Sequence, residues 1–173
     1  MAWSTPATFV SGAILTAAQM NTNVRDNTNA IYDSQKRLAY QTQSSPGTVA
    51  TVLSGTMNKL FPTSATFTAD GTSTYLVEVY VPLSQSATNA GAYNVLHLTD
   101  NSGAAVGGAL GFGNQADGTR AGLGSFYIRS LYTPSAGSKS LNVGALHAVA
   151  AGTIGSSALT QLAYIKVYGP DMT

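Results

Sequence analysis

The stretch Thr74 to Val81, TYLVEVYV, constrains this chain more than any other. Its residues alternate with the period of two that a β-strand imposes, yet both faces are largely apolar. Tyr75, Val77, Val79 and Val81 fall on one face, and Leu76, Glu78 and Tyr80 on the other. A strand of a solvated antiparallel sheet normally turns one plainly polar face to water. The doubling recurs near the C-terminal end, where Leu159, Ala163, Ile165 and Val167 share a face and Leu162, Tyr164 and Tyr168 flank Lys166 on the other. One face is needed for a core, and the second is expected to meet a neighbouring subunit. Tyrosine suits such a surface because it is large and flat with a polar tip. Tyr75, Tyr80, Tyr164 and Tyr168 are therefore candidate subunit-interface residues.

Other β segments accompany these two. Thr48–Leu53, Ala65–Thr68, Tyr93–Thr99, Val106–Phe112, Ser125–Tyr132 and Ser138–Ala150 are short and carry strand-forming residues. Between them lie Asp70-Gly71, Asp100-Asn101-Ser102-Gly103, Asp117-Gly118 and Pro134-Ser135-Ala136-Gly137, residues that tolerate positive φ or open tight turns. About eight strands without a further helix predict an antiparallel β-sandwich, most simply a jelly roll.

Composition narrows the class. The chain has 173 residues, enough for one domain with an accessory segment, and 44% of them are hydrophobic, which excludes a disordered chain. Only 9% are charged, against roughly a quarter in ordinary globular proteins. Solubility then rests on Ser, Thr, Asn and Gln, a pattern suited to a protein whose faces are covered by neighbours in an assembly. The net charge of +1 and scattered basic residues give no electrostatic case for nucleic acid. Without cysteine there are no disulfides, thiol catalysis or cysteine-ligated zinc. No apolar run approaches the ~18 residues of a membrane span, and MAWSTPATFV has no basic region or apolar run of a signal peptide.

The front of the chain is different in kind. Residues 1–15 set Trp3, Pro6, Phe9, Ile14 and Leu15 among small polar residues, and Pro6 and Gly12 discourage regular structure. So short a segment cannot bury these groups itself; it either docks on another protein or packs on the β domain of its own chain. Thr16-Ala17-Ala18-Gln19 is a capping box that opens a helix expected to run to about Ala39. Val24, Ile31 and Leu38 recur seven apart, with Met20, Asn27 and Ser34 at the second seam position. That narrow stripe fits a weak coiled-coil seam with polar residues inside it. A self-associating helix is preferred here over one lying alone on the β domain. A parallel bundle leading into a domain with two apolar faces most naturally gives a homotrimer.

The same front segment resembles one found in structural proteins of tailed bacteriophages, especially minor tail and fibre proteins of phages of actinobacteria. The matching residues are Trp3, Thr5-Pro6, Phe9, Gly12, Thr16-Ala17-Ala18-Gln19-Met20-Asn21-Thr22 and Val24-Arg25-Asp26-Asn27. Ala7 stands where an Arg is common in that family, and Thr28 where a Leu often follows. The β part looks like the trimeric jelly-roll heads, tumour-necrosis-factor-like or C1q-like, of many virion proteins. The resemblance implies a homotrimeric virion component, made in the host cytoplasm and joined to the particle through its N-terminal segment. On this reading residues 1–15 dock, 16–43 form the trimerisation helix and linker, and 44–173 the exposed sandwich. A tail-associated protein contacting the host surface is expected; at this length, capsid decoration or a head-fibre-like appendage is the alternative.

No residue pattern points to catalysis or a cofactor. His97 and His147 lie in apolar strand contexts, and a third ligand at fixed spacing is missing for a metal. No nucleophile-elbow sequence accompanies the serines. Asp70, Asp100 and Asp117 sit in turn signals and are better explained by turn chemistry than by a glycosidase pair. Gly111-Phe112-Gly113-Asn114-Gln115-Ala116 imitates a dinucleotide loop, but no helix follows it. Tyr93 beside Asn89 and Asn94, or Tyr132 near Ser135, could contact cell-wall glycans, although interface tyrosine is the favoured reading.

Overall fold

The computed structural model describes residues 8, 11–12, 14–45, 47–50, 57–85, 88, 90–112, 119, 123–147, 152–156 and 161–170. Helix α1 (Ala17–Met20), a π-helical segment (Asn21–Asp26) and helix α2 (Asn27–Gln35) follow without a break. The capping box forms as expected: Gln19 N–H donates to Thr16 Oγ1 at 3.2 Å, and Thr16 N–H to Gln19 Oε1 at 2.9 Å. The asparagines explain the wide turn. Asn23 Nδ2 donates to Gln19 O at 2.9 Å and Asn27 Nδ2 to Asn23 O at 3.5 Å, filling carbonyls that an α-helix serves with backbone N–H four residues on.

The helix stops at Gln35 rather than near Ala39, and Arg37–Thr42 is strand β1. Local preference alone favours continuing through Lys36–Ala39. Pairing wins instead, because Arg37–Thr42 lies antiparallel to β11 (Tyr164–Tyr168) and turns Ala39 into the core. Leu38 is thus no seam residue; it packs against the core from a strand. Gln41 and Thr42, expected to begin a linker, finish that strand. Gln43 is buried just beyond, its amide accepting from Ala163 N–H at 3.3 Å and donating to Gly47 O at 3.1 Å.

Among the described residues the remaining strands are β2 (Thr48–Ala50), β3 (Asn58–Lys59), β4 (Ala65–Ala69), β5 (Tyr75–Gln85), β6 (Asn94–Thr99), β7 (Ala105–Phe112), β8 (Leu123–Tyr132), β9 (Gly137–His147) and β10 (Thr153–Gly155). In the first sheet β5 is central. One edge pairs with β11 through Leu76–Tyr80 and with β10 through Leu83–Gln85; the other pairs with β8. β1 and β2 lie outside β11 and β10. The β5–β8 register slips between Val81 and Ser84, where Pro82 has no N–H to give the ladder. In the second sheet β9 carries β3 and β4 on one edge and β6, then β7, on the other. All pairings are antiparallel, and the chain changes sheet after β2, β4, β5, β7, β8 and β9, in the manner of a jelly roll.

The sheets bury Val77, Val79, Val81, Ile165 and Val167 against Leu96, Leu98, Leu141, Val143 and Phe61. Alternation selects these residues on each strand. The expected turn chemistry is present: Asp70 Oδ1 accepts from Thr72 N and Ser73 N at 2.9 and 2.8 Å, and Gly71 has φ 89°. Asp117-Gly118 lies outside the described residues.

One buried side chain ties the second sheet together. Asn142, fully buried on β9, accepts from Phe61 N–H at 3.1 Å and donates to Phe61 O at 2.8 Å. It closes the loop between β3 and β4 onto the strand at the position where Thr99 ends β6.

Candidate functional site

Strands β1, β11, β5 and β8 lie side by side, and their registers set three rows of side chains on the outer face. Thr42, Tyr164, Tyr80 and Tyr127 align in one row, Tyr40, Lys166, Glu78 and Arg129 in the next, and Tyr168, Leu76 and Leu131 in the third. The rings touch across strands: Tyr80 and Tyr164 lie 5.6 Å apart, Tyr40 and Tyr164 6.5 Å. The Arg37 guanidinium lies 4.8 Å from the Tyr40 ring centre and Lys166 Nζ 4.1 Å from that of Tyr164. Tyr80 donates its hydroxyl proton to Gln161 Oε1. Tyr127 and Leu131, each 58% exposed, leave an apolar outer margin open to solvent.

At the centre stands Glu78, buried although it points away from the core. Its Oε2 accepts from Tyr127 Oη at 2.8 Å and its Oε1 from Lys166 Nζ at 3.1 Å, with Arg129 Nε 3.9 Å away. Burial pushes the carboxyl up, but hydrogen bonds from Tyr127, Lys166 and Tyr164 outweigh it and hold it below its ordinary value. The Tyr127 hydroxyl is pushed up in turn, chiefly by that hydrogen bond to the carboxylate. The only acid on this patch is therefore already paired, so covering the face would strand no lone carboxylate.

Of the tyrosines expected at an interface, Tyr80, Tyr164 and Tyr168 share this outer face, half-buried. Tyr75 does not. It has the opposite parity on β5, is buried, and packs its ring 5.0 Å from Phe67, with its oxygen accepting from Asp70 N–H at 3.2 Å. Tyr40 and Tyr127 were missed from sequence because their strand registers against β11 and β5 are set only in the fold. The docking residues Trp3, Pro6 and Phe9 lie outside the described residues, while Ile14 is 92% exposed and Leu15 is exposed too. Met20, Val24 and Ile31 are exposed on the helix, whereas Asn27, placed in the same seam, is buried.

The histidines do not meet. His97 lies opposite Gly144 and His147 opposite Asn94, on opposite faces of the second sheet. Asn94 Nδ2 donates to Ser84 Oγ, Gln85 O and Thr153 O, so its Oδ1 faces His147 Nδ1 at 2.7 Å and that nitrogen carries the proton. Burial holds both imidazoles below their ordinary pKa. Asn94 is committed inside the core and is not available to a sugar beside Tyr93. Among the described residues no group of three His, Cys, Asp or Glu side chains gathers as a metal site.

This architecture defines an antiparallel β-sandwich protein with a tyrosine-rich outer sheet face. Comparison with solved structures finds similarity to capsid proteins of infectious bursal disease virus. The chain from T=1 particles derived from that virus gives a TM-score of 0.37 at 12% identity, over 81% of this chain and 37% of that one. The VP2 subviral particle gives 0.34 at 11%, over 81% and 38%. A carbohydrate-binding module from Cellvibrio mixtus lichenase 5A, solved with cellotriose, gives 0.25 at 17%, over 80% and 92%. The chain thus spans under two-fifths of those capsid proteins, and likeness at these scores carries no functional argument. No protein-family model and no curated protein matches the sequence.

Proposed function

We propose that this chain is a non-enzymatic structural protein of a tailed-bacteriophage virion, assembled as a homotrimer and associated with the tail. The outer face of β1, β11, β5 and β8 is the subunit interface, and the segment from Trp3 to Leu15 attaches the trimer to other virion proteins. The observation that carries assembly is the face itself: tyrosines and leucines surround a carboxylate already ion-paired with Lys166 and hydrogen-bonded by Tyr127. Tyr and Arg are enriched in protein interfaces, and the chain's low charge fits a surface meant to be covered. The assignment to a virion rests on the resemblance of Trp3 to Asn27. Capsid decoration is the second reading, favoured by one feature: the sheet begins at Arg37, directly after the helix ends at Gln35, so no stalk separates them.

Light scattering on the purified protein tests assembly. The native chain is expected at three times the chain mass, and a Tyr127→Glu, Leu131→Glu double variant, with both changes at exposed positions, at one. A native chain that stays monomeric would sink the proposal. Imaging a labelled copy on the particle then separates tail from shell.

A further inference from the structure

We infer that the cleft beside the end of β6 binds a neutral saccharide. At Thr99 β6 ends opposite Asn142, while β9 continues back along β4 to Gly137. Below Asn142, β9 keeps β4 on one edge and has no ladder partner on the other among the described residues. The turn residues Asp100–Ser102 and Ser138–Ser140 of β9 line an open cleft there of about 380 Å³, within the roughly 300–1,000 Å³ range of small-molecule sites. This cleft is at the far end of β8 from Tyr127 and does not depend on the assembly reading.

Its lining has the chemistry of a sugar site. Asp100 Oδ1 is held by Ser102 N–H at 2.8 Å, Ser102 Oγ at 2.6 Å and Ala104 N–H at 3.0 Å. Those bonds, the Ser102 hydroxyl's first, keep the carboxyl below its ordinary pKa, so it stays an acceptor. Lys139 Nζ gives one proton to Ser135 Oγ at 2.9 Å and keeps two to donate. The hydroxyls of Ser138, Ser140 and Tyr132 make no hydrogen bond among the described residues. Tyr132 and Val106, both packed against the core, add an apolar wall. A sugar offers both halves of this pattern, adjacent hydroxyls for the Asp100, Lys139 and serine groups and a C–H face for the tyrosine ring. Asp100 and Lys139 bring opposite charges to the same lining, and that balance points to an uncharged sugar.

Saturation-transfer NMR with methyl glucoside, methyl galactoside, methyl mannoside and N-acetylglucosamine, in turn, tests this on the intact protein. At least one is expected to receive transfer, with a Kd near about 1 mM for a single sugar unit. Asp100→Asn, which preserves the turn, should weaken that sugar about tenfold, the loss of one charge-assisted hydrogen bond. Ser138→Trp, at an exposed strand position, should abolish transfer, while Tyr127→Ala, on the outer face of the first sheet and outside the cleft lining, should leave it unchanged. No transfer to any probe, or transfer undiminished in a folded Ser138→Trp protein, overturns the inference. So does binding of an extended peptide along the free edge of β9 in place of every sugar, since that edge would then serve strand addition. Mass from light scattering on the same samples is a separate readout: a monomer that binds sugar overturns only the assembly reading.

Discussion

Replacing Asn142 with alanine is expected to be among the most damaging polar substitutions in this chain. The side chain is fully buried, and both Phe61 backbone groups depend on it, the N–H at 3.1 Å and the carbonyl at 2.8 Å. Phe61 is itself fully buried, so water cannot replace the lost partner without opening the loop between β3 and β4. Each orphaned backbone group costs about 1–3 kcal/mol, which makes about 3–5 kcal/mol for the pair with its small cavity. With a urea m-value of about 2 kcal/mol/M for a chain of this size, the midpoint should fall by about 2 M. Urea titration at a fixed protein concentration reads this directly. Asn142→Asp should be worse at neutral pH, because it loses the donor and buries a charge, and should recover partly in acid. A midpoint shift below about 0.5 M for Asn142→Ala would refute the reasoning that the loop is held by these two bonds.

Two further outcomes follow from the same structure. His147 and His97 are held below their ordinary pKa by burial, so the unfolded chain takes up protons that the folded one refuses. Their contribution is complete above about pH 6.5 and declines as pH falls below it, whereas that of Glu78, whose pKa is lowered, is complete above about pH 4.3 and lost further down. Thermal melts from neutral to acid pH should therefore fall in two stages, and His147→Asn, which keeps a donor toward Asn94, should flatten the upper one. An unchanged upper slope in that variant would exclude His147 as its source. In a second comparison, a Cβ on Gly155 would lie 2.1 Å from Gly47 O and 2.9 Å from Thr48 Cα, while one on Gly47 meets nothing within 4 Å. Gly155→Ala should destabilise by about 3 kcal/mol and speed amide exchange in β2 and β10, and Gly47→Ala should stay within about 1 kcal/mol of the native chain. Equal effects at the two positions would mean that β10 is not packed as closely against β2 as described.

Much of this molecule is legible in its order of residues. Period-two alternation marks β4, β5, β6, β8 and β9, because each of these strands must present one face to the core. The capping box at Thr16 and the aspartate turns at Asp70 and Asp100 are equally local, each complete within a few residues of backbone and side chain. The strands that escaped reading, β1, β3 and β10, are short or resemble helix, and they exist because another strand pairs with them. Leu38 shows the limit most plainly: its heptad spacing is genuine, yet pairing with β11 places it in a sheet.

For function the division is similar. The two apolar faces of Tyr75–Val81 are a property of the sequence alone, and so is the front segment with its capping box. Which tyrosines share the outer face was decided by strand register, which puts Tyr40 and Tyr127 beside Tyr80 and Tyr164 and turns Tyr75 inward. The paired Glu78 and the cleft at Asp100 were likewise out of reach of any local pattern. Their groups come from separate strands, and only antiparallel pairing brings side chains about fifty to ninety positions apart within hydrogen-bond distance.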